Sequence, residues 1–319
     1  KAMIEVAEAC LQHKFEKEPL IIGTSGRYEF RNKGLDIFME SLKRLATCAL
    51  DREILAYITV PAANNGPRAD LLRHLKDAQQ PIDESQWKFS THYLENPQWD
   101  PISQAMRGSV LESADSKVKV IFVPSYLNSN DGVFNKNYYE MLVGMDLTAY
   151  PSYYEPWGYT PLESVAFSVP TITSNLSGFG LWAVKQADHE AVEVIRRDDN
   201  NDAYAVEQMV GATLRFMQLD EAQVASVRAA ASEISKKALW NNFFKHYERA
   251  YAEALENAST RLNSTVVEDG GNHTEQLNFV RQQLTSNKPS WHRMMVEKRL
   301  PSRLSALETI SRNLWWSWT

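Results

Sequence analysis

Between Pro19 and about Ala203, short aliphatic and β-branched runs alternate with helical stretches, and that alternation leaves few folds open. Leu20-Ile21-Ile22-Gly23, Ile54 to Val60, Val118 to Val123, Leu147 to Tyr150 and Pro170 to Thr173 read as strands. Pro61 and Pro124 close the second and third of them. From Gly34 to Leu50, the residues Leu35, Phe38, Met39, Leu42 and Leu45 recur at the spacing of one helix face. Strands separated by helices run parallel and are joined by right-handed crossovers. The expected architecture is therefore α/β, a doubly wound parallel sheet, with its ligand site at the carboxyl ends of the strands.

Two stretches depart from this rhythm. Ala62 to Lys117 is polar with scattered Trp and Pro, and reads as a partly helical insertion. After Asn201 the pattern is helical, over Ala203 to Leu219 and then Glu221 to about Glu256. Residues 255–299 turn to Asn, Ser, Thr, Gln and Gly, the composition of a linker. Residues 300–319 form a last helical pattern ending in Trp315-Trp316-Ser317-Trp318. The first residue is Lys1 and the last residues are apolar, so the chain is expected to be a piece of a longer polypeptide.

Composition narrows the function classes. A formal net charge of -6 argues against a nucleic-acid surface, which needs basic stripes. No run approaches the ~18 apolar residues of a membrane span. Cys10 and Cys48 are the two cysteines, a usage that fits a reducing compartment such as the cytoplasm. The seven histidines are scattered without paired ligand spacing, so no metal is expected.

Three segments carry candidate chemistry. Arg27 and Lys33 lie on the turn after the first strand, where two cations can clamp a diphosphate or simply be solvated. Residues 151–163 run PSYYEPWGYTPLE from a strand into a helix. In it Thr160, Pro161 and Glu163 suit N-cap, N1 and N3, a capping box. The same helix start can hold a phosphate on free amides, with Gly158 letting the backbone approach. Glu155 precedes the cap, and no capping role accounts for it; an exposed loop acid is the bland alternative. Tyr153, Tyr154 and Trp157 either pack the loop or face a ligand. The third segment, Ser174 to Gly180, has glycines that suit a close ligand approach or a plain turn equally well.

These stretches resemble a known family. GRYEFRNKGLDIFMESLKRL (26–45), VKVIFVPSYLNSND (118–131) and YPSYYEPWGYTPLESVAFSVPTITSNLSGFG (150–180) are similar to the eukaryotic-type glycogen synthases of glycosyltransferase family 3. The likeness runs from about Ile21 to Ala254 and includes THYLENPQWDPI in the insertion. It implies a GT-B fold of two Rossmann-like domains, of which residues 19–254 would be the C-terminal, nucleotide-sugar-binding one with a helical extension. Residues 1–18 would be a helix entering from the acceptor-binding N-terminal domain, which is not in this chain. The implied reaction is retaining transfer of glucose from UDP-glucose to the non-reducing 4-hydroxyl of an α-1,4-glucan, without metal or other cofactor. ADP-glucose stays open as donor.

By the resemblance, Arg27 and Lys33 would hold the diphosphate, Thr160 with the amides around Tyr159 would meet the phosphates, and Trp157 and Gly158 would also belong to the donor site. Glu155 would face the donor glucose and Glu163 the ribose hydroxyls. Tyr138 would lie against uracil, with Tyr139 as its neighbour and rival. Two mechanisms remain open, same-face internal return and double displacement through a carboxylate nucleophile. Ser235-Lys236-Lys237 to Lys245 has no arginine run, so control by glucose 6-phosphate is not expected. The segment PSRLSALETISRNLWWSWT resembles the start of bacterial α-glucan phosphorylases, which implies a fused parent protein. Two other readings are an isolated UDP-sugar-binding module without activity alone, and a glycan-binding module using Tyr and Trp as platforms.

Overall fold

The structure, a computed structural model, describes residues 1–83, 88–186 and 191–268. It divides into two units, Lys1–Lys236 and Lys237–Thr319.

The first unit opens with α1 (Ala2–Leu11), β1 (Leu20–Ser25), α2 (Leu35–Leu45) and β2 (Ile54–Thr59). The insertion follows, with β3 (Asn64–Pro67), α3 (Ala69–Lys76), β4 (His92–Leu94), α4 (Pro101–Met106) and a 3-10 turn at Val110–Glu112. Then come β5 (Val118–Phe122), α5 (Tyr138–Leu142), β6 (Leu147–Tyr150), α6 (Tyr159–Ala166), β7 (Thr171–Ser174) and α7 (Gly178–Ala183). β8 (Val192–Ile195), α8 (Asp202–Met217) and α9 (Glu221–Lys237) complete it.

Six strands form one sheet in the order β5-β2-β1-β6-β7-β8, and every pairing is parallel. This is the doubly wound order 3-2-1-4-5-6, a Rossmann-like sheet. The chain leaves β1 toward one edge and returns to β6 on the other side. The loops after β1 and β6 therefore part at the switch point, where such sheets bind ligands. β3 and β4 make a separate antiparallel pair within the insertion.

Alternation along each strand feeds two cores. Leu20, Ile22, Ile54, Ala56, Ile58, Val118, Val120 and Phe122 pack on one face with Phe38 and Leu42 of α2 and Met209 of α8. Ile21, Leu55, Tyr57 and Ile121 face the opposite way, onto Met3, Val6 and Cys10 of α1 and Met141 and Leu142 of α5. Burial on both faces explains why the strands read as continuous apolar runs. Each fully buried Leu, Ile or Phe contributes about 1.5–3 kcal/mol. The Tyr57 hydroxyl donates to the Met3 carbonyl at 2.6 Å, tying α1 to the sheet.

Three sequence expectations change here. Val192–Ile195 is a sixth strand of the sheet, one residue of which, Glu193, is exposed and broke the apolar run. The single helix expected over 221–256 is two helices, because α10 (Trp240–Glu268) starts anew after α9, with the Asn242 and Phe243 amides both turning back to the Leu239 carbonyl. α10 also covers the beginning of the expected linker at 255: Ala252, Glu253, Ala254, Leu255, Glu256, Ala258 and Arg261 are good helix formers that outweigh Asn257, Ser259 and Thr260. The rest of that linker and the phosphorylase-like segment 300–319 lie outside the described residues.

Candidate active site

The turn after β1 carries Lys33, and the loop after β6 carries Glu155. Lys33 Nζ donates to a Glu155 carboxylate oxygen in a direct ion pair. Their side chains are only 15% and 19% exposed, so the pair is enclosed but not sealed. Glu155 is therefore no free loop acid: its carboxylate already meets the cation that the sequence marks for a diphosphate.

Local backbone contacts explain how the two loops meet. The Tyr153 amide donates to the Asn32 carbonyl at 2.9 Å, joining the loops directly. Gly34 sits at φ 73°, and a Cβ there would lie 2.1 Å from the Pro151 carbonyl oxygen. Only glycine lets the chain turn so close to that carbonyl. Arg197, in the loop after β8, is fully buried and donates to the same Pro151 oxygen at 2.6 Å. Its other arm reaches the Asp36 carboxylate at 3.2 Å, and its guanidinium lies 5.4 Å from the Tyr153 ring centre. Arg197 thus ties its own loop to the loop after β6 and to the first turn of α2.

The Glu155 backbone is held from the far side. Its amide donates to Leu176 and its carbonyl accepts from Gly178, at 3.3 and 3.1 Å. The glycines of the 174–180 segment serve the chain itself: a Cβ on Gly178 would lie 2.2 Å from the Pro156 carbonyl, and one on Gly180 2.2 Å from that of Ser174. Trp157 packs edge-on against Phe179 and tilted against Trp182, both with centroids 6.0 Å away. Tyr153 donates to Asp199 as well as facing Arg197, while Tyr154 is exposed.

The capping box expected from Thr160 and Glu163 does not form. Helix α6 starts earlier, with Gly158 as N-cap at φ 106° and no side-chain cap. Glycine tolerates that left-handed conformation, so the turn tightens before Thr160 is reached. Thr160 becomes the second helical residue and Glu163 the fifth. Among the described residues no acceptor meets the Tyr159 and Thr160 amides, so they open the positive end of the helix dipole.

Released from the cap, Glu163 turns into the strand ends. Its Oε1 accepts from the Tyr139 hydroxyl at 3.1 Å. Burial pushes its carboxyl up to about 7, only partly opposed by that hydrogen bond. Tyr138 points elsewhere, its hydroxyl 2.9 Å from Ser25 Oγ and 3.3 Å from the Tyr150 hydroxyl. Burial raises the Tyr138 phenol well above its usual range and that of Tyr150 as well. Tyr150, Ser25 and Arg197 are functional candidates that pattern reading missed, since none sits in a spacing motif; Tyr139, expected only as the rival of Tyr138 for the base, meets Glu163 instead.

Arg27 stands apart. It pairs with Glu29 at 2.7 Å and its side chain is 71% exposed, so the protein holds it loosely at the rim. Among the described residues no group of three or more His, Cys, Asp or Glu is placed to hold a metal. No described helix is long and apolar enough to cross a membrane.

A family model described as glycogen synthase matches residues 71–311. The glycogen [starch] synthase of Dictyostelium discoideum is 29% identical over 293 residues, covering 75% of this chain and 33% of that protein. That of Neurospora crassa is 28% identical, covering 81% and 45%, and isoform 2 of Saccharomyces cerevisiae is 27% identical, covering 72% and 42%. The chain thus spans less than half the length of these curated relatives. Among solved structures, WaaG, a glycosyltransferase involved in lipopolysaccharide biosynthesis, aligns at a TM-score of 0.39 and 16% identity, over 73% of this chain and 46% of that one.

Proposed function

The chain belongs to the glycogen synthase family, and from that premise we propose that it supplies the donor-binding half of a retaining glucosyltransferase with the GT-B fold. The reaction is transfer of glucose from UDP-glucose to the non-reducing 4-hydroxyl of an α-1,4-glucan. The observation that carries this reading is the Lys33–Glu155 pair at the switch point of the sheet. It sets a phosphate-binding cation beside a carboxylate for the sugar.

Each residue then has a physical task. Lys33 exchanges Glu155 for the donor diphosphate when the nucleotide enters, and Arg27 swings in from the rim as a second clamp. The amides of Tyr159 and Thr160, with Gly158 and Trp157 beside them, meet the phosphates at the dipole end of α6. Stabilising the departing UDP in this way lowers the barrier to an oxocarbenium-like glucosyl centre. Glu155, freed from Lys33, faces that positive charge. Glu163 accepts ribose hydroxyls, and Tyr138 offers its ring to the base. In this reading the countercharge comes from side chains and a helix end, so the donor needs no metal. The acceptor glucan and the second wall of the cleft belong to a further N-terminal domain, and the enzyme works in the cytoplasm.

The test is transfer of labelled glucose to maltooligosaccharides by the polypeptide that contains this chain, from UDP-glucose and ADP-glucose in parallel. α-1,4 extension, with UDP-glucose preferred, is expected. No transfer from either donor contradicts the assignment. Binding of UDP by this chain alone without turnover fits the same reading, since the chain spans only part of its relatives.

A further inference from the structure

Glu163 is a half-buried carboxyl whose surroundings are phenolic rather than cationic. Tyr139 donates to it, Tyr138 and Tyr150 lie close enough to feel its charge, and among the described residues no Lys or Arg pairs with it. Such a group repels phosphate. The part of an anionic ligand it can welcome is neutral and rich in hydroxyl donors.

The two neighbouring tyrosines of α5 are aimed by the start of that helix. Asn137 accepts from the Glu140 amide at 3.0 Å and Glu140 accepts from the Asn137 amide at 2.9 Å, a complete capping box. This fixes the first turn, and the helical rotation between adjacent residues then sends Tyr138 and Tyr139 in different directions. Tyr138 goes to Ser25 and Tyr150. The Tyr139 ring stacks on Phe167, one turn beyond Glu163, with centroids 4.8 Å apart and planes 15° from parallel. Its ring is therefore placed by packing, and its hydroxyl is left to orient Glu163.

We propose that Tyr139 is the positioning residue that holds the Glu163 carboxylate in the orientation that accepts the vicinal hydroxyls of the nucleotide ribose. This rests on the donor-binding reading above. Tyr139 takes one lone pair of Oε1, and among the described residues no other donor meets this carboxylate, so its remaining lone pairs are free for hydroxyl donors. Because the same hydrogen bond favours the ionised form, it also sets the pH above which the diol is recognised.

The experiment compares UDP with 2′-deoxy-UDP, binding each to the wild-type chain and to Tyr139→Phe by calorimetry between pH 5.5 and 8.5. Phosphate ionisation affects both nucleotides alike and cancels in the affinity ratio. Wild type is expected to favour UDP about tenfold at pH 8, as for a lost charge-assisted hydrogen bond, with the ratio approaching one at pH 5.5. In Tyr139→Phe, which keeps the ring on Phe167, the ratio falls at neutral pH and its midpoint moves to higher pH. Glu163→Gln abolishes the pH dependence, and adding Tyr139→Phe to it changes the ratio no further. If Tyr139→Phe keeps the wild-type ratio at every pH, the positioning role is overturned while the nucleotide site stands. A further loss in the double variant overturns it even where Tyr139→Phe alone folds poorly. Failure of wild type to bind either nucleotide overturns both the inference and the proposed function.

Discussion

Lys33 and Glu155, 122 residues apart, form an ion pair between the loops that follow β1 and β6. The cation expected to hold the leaving diphosphate is thus occupied by the acid expected to face the sugar. On the proposed function, donor entry exchanges one anion for another on Lys33.

That exchange makes an unusual prediction for Glu155→Gln. Removing the competing carboxylate frees Lys33, so UDP affinity should rise about two- to tenfold, the scale of a partly exposed ion pair. Glucose transfer by the intact enzyme should fall sharply in the same variant. Calorimetric titration with UDP reads the first effect and a transfer assay the second. Weaker UDP binding in Glu155→Gln would place the pair outside the donor site.

Glu163 should lower stability where it is ionised. Burial raises its folded-state pKa from the ordinary carboxylate value of about 4.5 to about 7. Between those values the folded chain binds more protons than the unfolded one, so unfolding free energy declines as pH rises through that window. The full difference corresponds to about 3 kcal/mol. Glu163→Gln should therefore melt above wild type at pH 8 and match it near pH 4.5, as scanning calorimetry can measure. Equal melting temperatures at pH 8 would mean the carboxyl is well solvated.

Gly34 is held by geometry on both counts, its φ of 73° and the 2.1 Å approach of a Cβ to the Pro151 carbonyl. Backbone cannot give way as a flexible side chain does. Gly34→Ala should lose about 2–4 kcal/mol of stability in urea unfolding. UDP affinity should drop with it, because Lys33 is the adjacent residue.

Arg197 joins Pro151 and Asp36 from a fully buried position. Arg197→Ala leaves the Pro151 carbonyl without its donor and Asp36 without its cation, and should cost about 3–5 kcal/mol. Arg197→Lys should recover little of this, since one ammonium cannot span the carbonyl and the carboxylate as the forked guanidinium does. Thermal melting of the two variants in low and high salt checks the point, with only a small salt effect expected for buried charge.

The sheet was legible because strands buried on both faces advertise themselves as aliphatic runs between helical stretches. β8 was not, since Val192–Ile195 is short and interrupted by Glu193. Glu155 and Lys33 were each visible in the sequence, yet their contact depends on Gly34, Pro151, Tyr153 and Asn32 closing two distant loops. The misreading of Thr160 and Glu163 as a capping box has a single local cause. Gly158 enters the left-handed region and starts α6 before Thr160, which turns Glu163 inward to Tyr139. Tyr139 itself carried no motif; only the fold brings it to the acid.

The proposed function stands or falls with binding of a nucleotide diphosphate by the Lys33 turn and the head of α6. Calorimetric titration of UDP into this chain at pH 7.5, with wild type and Lys33→Ala side by side, tests it most directly. Saturable one-site binding is expected, weakening at least about tenfold in Lys33→Ala, as for loss of a charge-assisted contact that also leaves Glu155 facing the phosphates. Absence of binding to wild type, or equal affinity in the two proteins, would contradict it.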